Sequence, residues 1–390
     1  MNTIEQFNEH VMQTYGRIGL VMESGHGQTA VGEDGKEYID FGSGIGTNSL
    51  GYCDEDWVNA ICEQAHKIQH TSNYYYTKVQ ADFAKRLCEA TGYEKMFFGN
   101  SGAEANECAI KLARKYSFDK YGKDAERNII ITLVNSFHGR TLCTLSATGQ
   151  EVFHNYFFPF VGGFENVIAN DIDDLMDKLN KLDNKVCAVM FEFVQGEGGV
   201  IPLQQSFVNT IMLECAKRDI LTIADEVQTG VGRTGKLLTS ELYNVKPDIT
   251  TLAKGLAGGV PIGVCLANKK CSEVLGKGTH GSTFGGNPIS CAGGNAVLDK
   301  VTKPEFLEEV RKKGEYFREK LVQIDEVEGV DGLGLMIGVR LKTKKAANVL
   351  NKCFENGLLI LTAKDKLRFL PPLNISYEQI DKGLAILKKV

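Results

Sequence analysis

Ile220-Leu221-Thr222-Ile223-Ala224 runs into Asp225, and Ile249-Thr250-Thr251-Leu252-Ala253 runs into Lys254. Each is a short apolar stretch rich in β-branched residues and bounded by polar ones, the pattern of a buried strand. In open α/β sheets ligands sit beyond the carboxyl ends of such strands, so an acid and an amine are expected to converge at one sheet edge.

Outward from this pair, similar runs recur at 95–98, 128–134, 186–193 and 262–267, with helical stretches between them. The alternation predicts crossover units and the α/β class, with a mostly parallel central sheet flanked by helices. Ala105, Ala109, Leu112, Ala113 and Tyr116 form one stripe at helical spacing, which predicts a helix over 103–121, directly after the first strand. A second helix, over 206–217, leads into the strand that ends at Asp225. The first fifty residues read instead as short strands at 29–31 and 38–41 about a turn at Asp34-Gly35. Past Pro288 the pattern predicts an amphipathic helix over 304–323, a strand over 335–341 and a helix over 346–355. The expected organisation is a large ligand-binding domain over 51–287, a smaller α+β domain over 288–390, and residues 1–50 as a segment belonging with the smaller one.

A chain of 390 residues exceeds one typical core and can bury a sizeable cleft. Its charges are mixed, 44 basic against 49 acidic, with no dominant run of one sign, which argues against a nucleic-acid or membrane-surface footprint and for a small ligand. The polar start 1–10 lacks the features of a signal peptide and no apolar segment is long enough to span a bilayer, so a cytoplasmic protein is expected. Eleven cysteines are scattered without a Cys-x-x-Cys, several inside strand-like runs, which is reduced-core usage rather than a disulfide or zinc framework. His66 and His70 stand four apart on a predicted helix, but no acidic partner lies between them, and no metal is expected.

A lysine that can condense with an aldehyde and a carboxylate that can keep a ring nitrogen protonated are what pyridoxal phosphate asks of a protein. Taken singly, Asp225 and Lys254 are an ordinary acid and an ordinary solvated amine; the pair carries the weight. Phe98-Gly99-Asn100-Ser101-Gly102-Ala103-Glu104 adds a small-residue loop between a strand and a helix, where free N–H groups and the helix dipole favour an anion. Alone, Ser101 would be only a helix cap. Phe137 and Arg140 follow another strand end: the ring could stack on a cofactor or pack in the core, and the guanidinium, like that of Arg368, suits a carboxylate. Gly230-Val231-Gly232-Arg233-Thr234-Gly235-Lys236 imitates both a dinucleotide fingerprint and a Walker loop. Leu237 stands where a Walker loop needs Ser or Thr, and Glu226 to Thr229 separate the glycines from the strand. A nucleotide-binding module built on this stretch is the competing reading.

In order along the chain, Asn100-Ser101-Gly102-Ala103-Glu104-Ala105-Asn106-Glu107, Phe137-His138-Gly139-Arg140-Thr141, Gln195-Gly196-Glu197-Gly198-Gly199, Asp225-Glu226-Val227-Gln228-Thr229-Gly230, Ala253-Lys254-Gly255 and Gly278 to Pro288 resemble the class III pyridoxal-phosphate-dependent aminotransferases over nearly the whole chain. The resemblance implies a fold type I transferase with Lys254 as the Schiff-base lysine and Asp225 as partner of the ring nitrogen. It also implies Phe137 and Val227 about the ring, Gln228 at the ring oxygen, and the phosphate on Ser101, Gly102 and Ala103, with Thr283 supplied by the other subunit of a homodimer. Arg140 and Ser282 would contact substrate. Arg368 would bind the α-carboxylate of 2-oxoglutarate, and Glu197 would cover Arg368 while an amine donor is bound. His138 and the run from Gly278 to Pro288 are more similar to the branch acting on acetylornithine in arginine synthesis than to the ornithine branch. Phe193, where the family usually has proline, is a departure.

Overall fold

Val186–Phe191 is buried at all six positions, because its two faces are covered by different helices. Val189 and Phe191 pack with Leu175, Leu179, Phe207 and Ile211 on one side, and Ala188 and Met190 with Cys108, Ala109 and Leu112 on the other. Each fully buried Val, Leu, Ile, Phe or Met side chain contributes about 1.5–3 kcal/mol. The computed structural model describes residues 1–390.

The central sheet has seven strands: β1 Lys95–Gly99, β2 Ile129–Leu133, β3 Phe164–Val167, β4 Val186–Phe191, β5 Leu221–Asp225, β6 Ile249–Leu252 and β7 Gly263–Ala267. Their spatial order is β1-β7-β6-β5-β4-β2-β3, and only β7 runs antiparallel, between β1 and β6. The mostly parallel sheet is as expected. Strand β3 was missed: Phe-Glu-Asn-Val lies at the sheet edge with three of its four residues not buried, so it carries no apolar run. The helix after β1 is Gly102–Tyr121, the helix before β5 is Gln205–Arg218, and both lie within two residues of expectation.

Thr29–Gly32 and Glu37–Asp40 pair as the expected hairpin, joined by Met22–His26 on one edge and, in parallel, by Leu358–Leu359 on the other. A further antiparallel sheet has the order Val327–Leu333, Met336–Leu341, Lys366–Phe369, Leu361–Ala363. Between these sheets Phe41, Phe317 and Phe369 pack with ring centroids 5.0–5.8 Å apart. The boundary expected at 288 falls on the first residue of helix Pro288–Val301, which packs on helices Glu55–Lys67 and Lys78–Thr91 and on the turn at Lys254. His66 and His70 do not share a helix, which ends at Lys67; the His70 ring rests 5.1 Å from that of Phe284. Phe193, the departure from the family's proline, fills the core against Tyr243. No helix is long and apolar enough to cross a membrane.

Candidate active site

Three adjacent strands bring Lys254, Asp225 and Glu192 to one edge: Asp225 ends β5, Glu192 follows β4 and Lys254 follows β6. Asp225 is 4% exposed, and a buried carboxylate needs partners. Its Oδ2 lies 2.7 Å from His138 Nδ1 and accepts from Asn106 Nδ2 at 2.8 Å, while Oδ1 accepts from the Val227 N–H at 3.0 Å. Asn106 is itself oriented, donating to the His138 carbonyl at 2.8 Å and accepting from Thr251 Oγ1 at 2.7 Å. An acid so held keeps its direction without help from solvent, and it points into a cavity of about 470 Å³.

Lys254 opens onto the same cavity from a left-handed backbone, φ 45°, directly after the strand. A non-glycine residue in that region costs of order 1–3 kcal/mol and persists where surrounding structure imposes it. Burial pushes the amine below its ordinary value; Glu197, Asp225 and Glu192 oppose that shift through space and Arg368 adds to it. A depressed amine is more readily neutral, the form that attacks a carbonyl or takes up a proton. Glu192 accepts from the Phe137 N–H at 3.1 Å and the Gly196 N–H at 3.4 Å, and burial, then the Asp225 charge, pushes its carboxyl well above the usual range.

The anion cradle is built where β1 passes into helix Gly102–Tyr121. Ser101 caps that helix by accepting from the Glu104 N–H at 3.2 Å, and Glu104 accepts in return from the Asn100 N–H at 2.7 Å. The N–H groups of Gly102 and Ala103 belong to the first turn, which lacks intrahelical partners. Two glycines make the approach possible. A Cβ on Gly263 would lie 2.0 Å from the Ser101 carbonyl oxygen, and one on Gly102 would lie 2.7 Å from Val227.

Ser101, Gly102, Ala103, Phe137, Arg140, Asp225, Val227, Gln228 and Lys254 thus line one cavity. The Arg140 guanidinium is exposed and rests on aromatic rings, 4.0 Å from the centroid of Phe153 and 5.5 Å from that of Phe137. Arg368, 3% exposed, donates from Nη1 to Glu197 at 2.6 Å and to Gln228 at 3.3 Å. Burial pushes the Glu197 carboxyl up, but the Arg368 charge and hydrogen bond outweigh it and hold it below its usual range. Ser282 and Thr283 are not brought to this cavity. They line a separate one of about 730 Å³ with Tyr74, Phe97 and His280, and Ser282 accepts from Asn100 Nδ2 at 3.1 Å. Sequence reasoning left Glu192, Asn106, Thr251 and Phe153 without roles. Glu192 had the same signal as Asp225, an acid at the end of a buried run; the other three gave none.

The glycine-rich stretch 230–236 leads into turns and a single 3-10 turn, Thr239–Glu241, rather than a helix, and Val231, Arg233 and Thr234 are buried. No helix N-terminus is available there for a nucleotide phosphate.

The family model of class-III aminotransferases matches residues 11–390. The acetylornithine aminotransferase of Haemophilus ducreyi is 51% identical over 382 residues, 98% of this chain and 96% of that protein. That of Caldanaerobacter subterraneus is 47% identical, covering 98% and 97%. Among solved structures, N-acetylornithine aminotransferase from Stenotrophomonas maltophilia superposes with a TM-score of 0.85 at 35% identity, covering 99% of this chain and 97% of that one. Ornithine aminotransferase from Toxoplasma gondii reaches a TM-score of 0.94 at 31% identity, covering 99% and 93%, and a second structure of that enzyme has pyridoxal phosphate at partial occupancy in its active site. An amine, a braced carboxylate and a helix-start cradle around one cavity fit that cofactor, and the chain belongs to the class-III aminotransferases, enzymes that depend on pyridoxal phosphate.

Proposed function

We propose that this enzyme moves the terminal amino group of N-acetylornithine to 2-oxoglutarate, giving N-acetylglutamate semialdehyde and glutamate, a step of arginine synthesis. The observation that carries the reading is the Arg368–Glu197 pair beside Gln228. An arginine already engaged by a carboxylate offers no charge to the α-carboxylate of a wrong donor, while a keto acid can displace Glu197 and claim it. Arg140, free of any carboxylate and braced on Phe137 and Phe153, would hold the remote carboxylate of the donor, so that its far amine reaches Lys254.

Pyridoxal phosphate, when bound, supplies the aldehyde that accepts the amine and the ring that withdraws electrons. The chain's own residues do the rest. Ser101, Gly102 and Ala103 would hold the phosphate, Phe137 and Val227 would flank the ring and Gln228 would meet its oxygen. Asp225 would keep the ring nitrogen protonated, and Lys254 would join the aldehyde and, freed as an amine when the donor's amine takes its place, would carry a proton to and from the substrate carbon. A single site that takes the donor and then the keto acid makes ping-pong kinetics the expectation. Rates on a panel of acylated and free diamines with 2-oxoglutarate test the assignment: N-acetylornithine should lead, and a lead by ornithine, succinylornithine, succinyl-diaminopimelate or 4-aminobutyrate would overturn the donor.

The position of Ser282 and Thr283 outside the chain's own cavity, in a separate one lined by the exposed Tyr74, supports a homodimer in which Thr283 completes the partner's phosphate site. Mixing a Lys254→Ala chain with a Thr283→Ala chain should then regenerate activity through one hybrid site. Two inert parents giving inert mixtures after verified subunit exchange would contradict the shared site.

A further inference from the structure

The strand pair that carries Arg368 ends abruptly. Met336–Leu341 and Lys366–Phe369 run antiparallel with Gly338 opposite Arg368 and Ile337 opposite Phe369. Continuing that register would set Leu335 opposite Pro371. Proline has no N–H, so it cannot donate a further rung.

Arg233 occupies the place of that rung. Its Nη1 donates both to the Leu335 carbonyl, at 3.2 Å, and to the Pro371 carbonyl, and its own carbonyl accepts from the Leu335 N–H at 2.9 Å. The residue is 2% exposed, and burial lowers its pKa to about 9 with no carboxylate to offset it. A buried cation without a counter-ion is costly, so its contacts must be specific to persist. Nη2 has no partner and faces Gly46, whose carbonyl lies against Gly255, next to Lys254.

Arg233 lies five residues beyond Gln228, on the turn that also holds Val227. One end of that turn touches the cofactor cavity and contacts Arg368 through Gln228; the other end ties the residue before the strand Met336–Leu341 to the segment that follows Arg368's own strand. We propose that Arg233 is a positioning residue for the keto-acid half-reaction, fixing where Arg368 stands relative to Gln228 and Glu197. This rests on the reading of Arg368 as the keto-acid carboxylate site. It gives the Gly230 to Lys236 stretch a task in substrate recognition, exercised through geometry rather than by binding a nucleotide.

The test follows each half-reaction of the holoenzyme separately by the cofactor's absorbance. Arg233→Lys keeps a charge and its donors but is shorter and not planar, so it does not place a donor where Nη1 stands between the two carbonyls. A displacement of about 1 Å at a binding group costs up to about a hundredfold. The apparent dissociation constant for 2-oxoglutarate should therefore rise by about tenfold or more, with the N-acetylornithine half-reaction within about threefold of wild type. In an Arg368→Gln background the same change should have little further effect, because the group being positioned is gone. Unaltered 2-oxoglutarate binding in Arg233→Lys, with Arg368→Gln impaired, would overturn the role of Arg233. Unaltered binding in Arg368→Gln would instead overturn the reading beneath it. Should Arg233→Lys fail to load cofactor, Arg233→Gln is measured in the same way. Failure of both to fold would contradict the proposal by making the residue a determinant of the core.

Discussion

The two halves of the candidate site, the cavity around Asp225 and the Arg368–Glu197 pair that meets it at Gln228, are built on opposite terms. Around Asp225 the partners are fixed parts of the fold: buried His138, buried Asn106 and the Val227 N–H converge on the carboxylate, and Thr251 fixes Asn106 from behind. Around Arg368 and Arg140 the partners are replaceable: one carboxylate on Glu197, a longer bond to the Gln228 amide oxygen and the faces of two phenylalanines. The cofactor end has one charge pattern to satisfy and can be rigid. The substrate end must receive a donor and then a keto acid, so its charges are only lent to protein groups between visitors. Preorganised dipoles serve a fixed chemical step, whereas discrimination between two ligands needs a contact that can be exchanged.

Changes at the rigid end should be the more severe. Lys254→Ala should abolish the yellow colour of the covalent form and slow single-turnover transamination by about 10²–10⁴-fold or more, the range a positioned proton-transfer group contributes. Asp225→Asn keeps the shape but not the charge opposite the ring nitrogen. It should lower the rate of both half-reactions by about 10²–10³-fold, as removal of one preorganised electrostatic partner does. A loss confined to one half-reaction would erase the contrast between the two ends.

At the exchangeable end the effects should be smaller and selective. Arg140→Lys loses bidentate geometry and should raise the Michaelis constant for donors bearing a carboxylate by about tenfold, with the cofactor spectrum unchanged. Loss of that spectrum would show Arg140 to belong to the cofactor end. Glu197→Ala uncovers Arg368 and should shift preference toward α-amino donors such as glutamate by about tenfold, roughly 1.4 kcal/mol of discrimination, read from paired kcat/KM values.

The smallest effect concerns pH. The Glu192 carboxyl is raised in the folded protein, so the stability it lends is complete below the ordinary glutamate range, near 4.5, and is lost as pH rises through its folded value. Melting of the cofactor-free protein should therefore fall with pH above that range, and Glu192→Gln, which has no proton to lose, should flatten the fall. Parallel profiles would mean that folding does not raise the Glu192 carboxyl.

The cofactor end was the legible one. Asp225 and Lys254 terminate buried strands, and burial on both faces leaves an apolar, β-branched run in the chain, so the sheet edge and its acid and amine could be read together. The edge strand Phe164–Val167 escaped because an edge needs no such run. Partners that act across the fold escaped as well: Asn106 sits inside a helix and Thr251 inside a strand, and nothing local marks either as bracing Asp225. The glycines at 230–235 gave a false signal for the opposite reason. Gly232 and Gly235 adopt φ near 90° to let the turn pass the C-terminal body, and the resulting pattern resembles a phosphate loop without the helix that would make it one.

Reduction of the holoenzyme with borohydride, followed by peptide mass mapping, asks whether Lys254 is the residue that carries the cofactor. One cofactor-sized adduct is expected, on Lys254, lost in Lys254→Ala while the fold remains. An adduct on any other lysine, or none on a yellow enzyme, would contradict it.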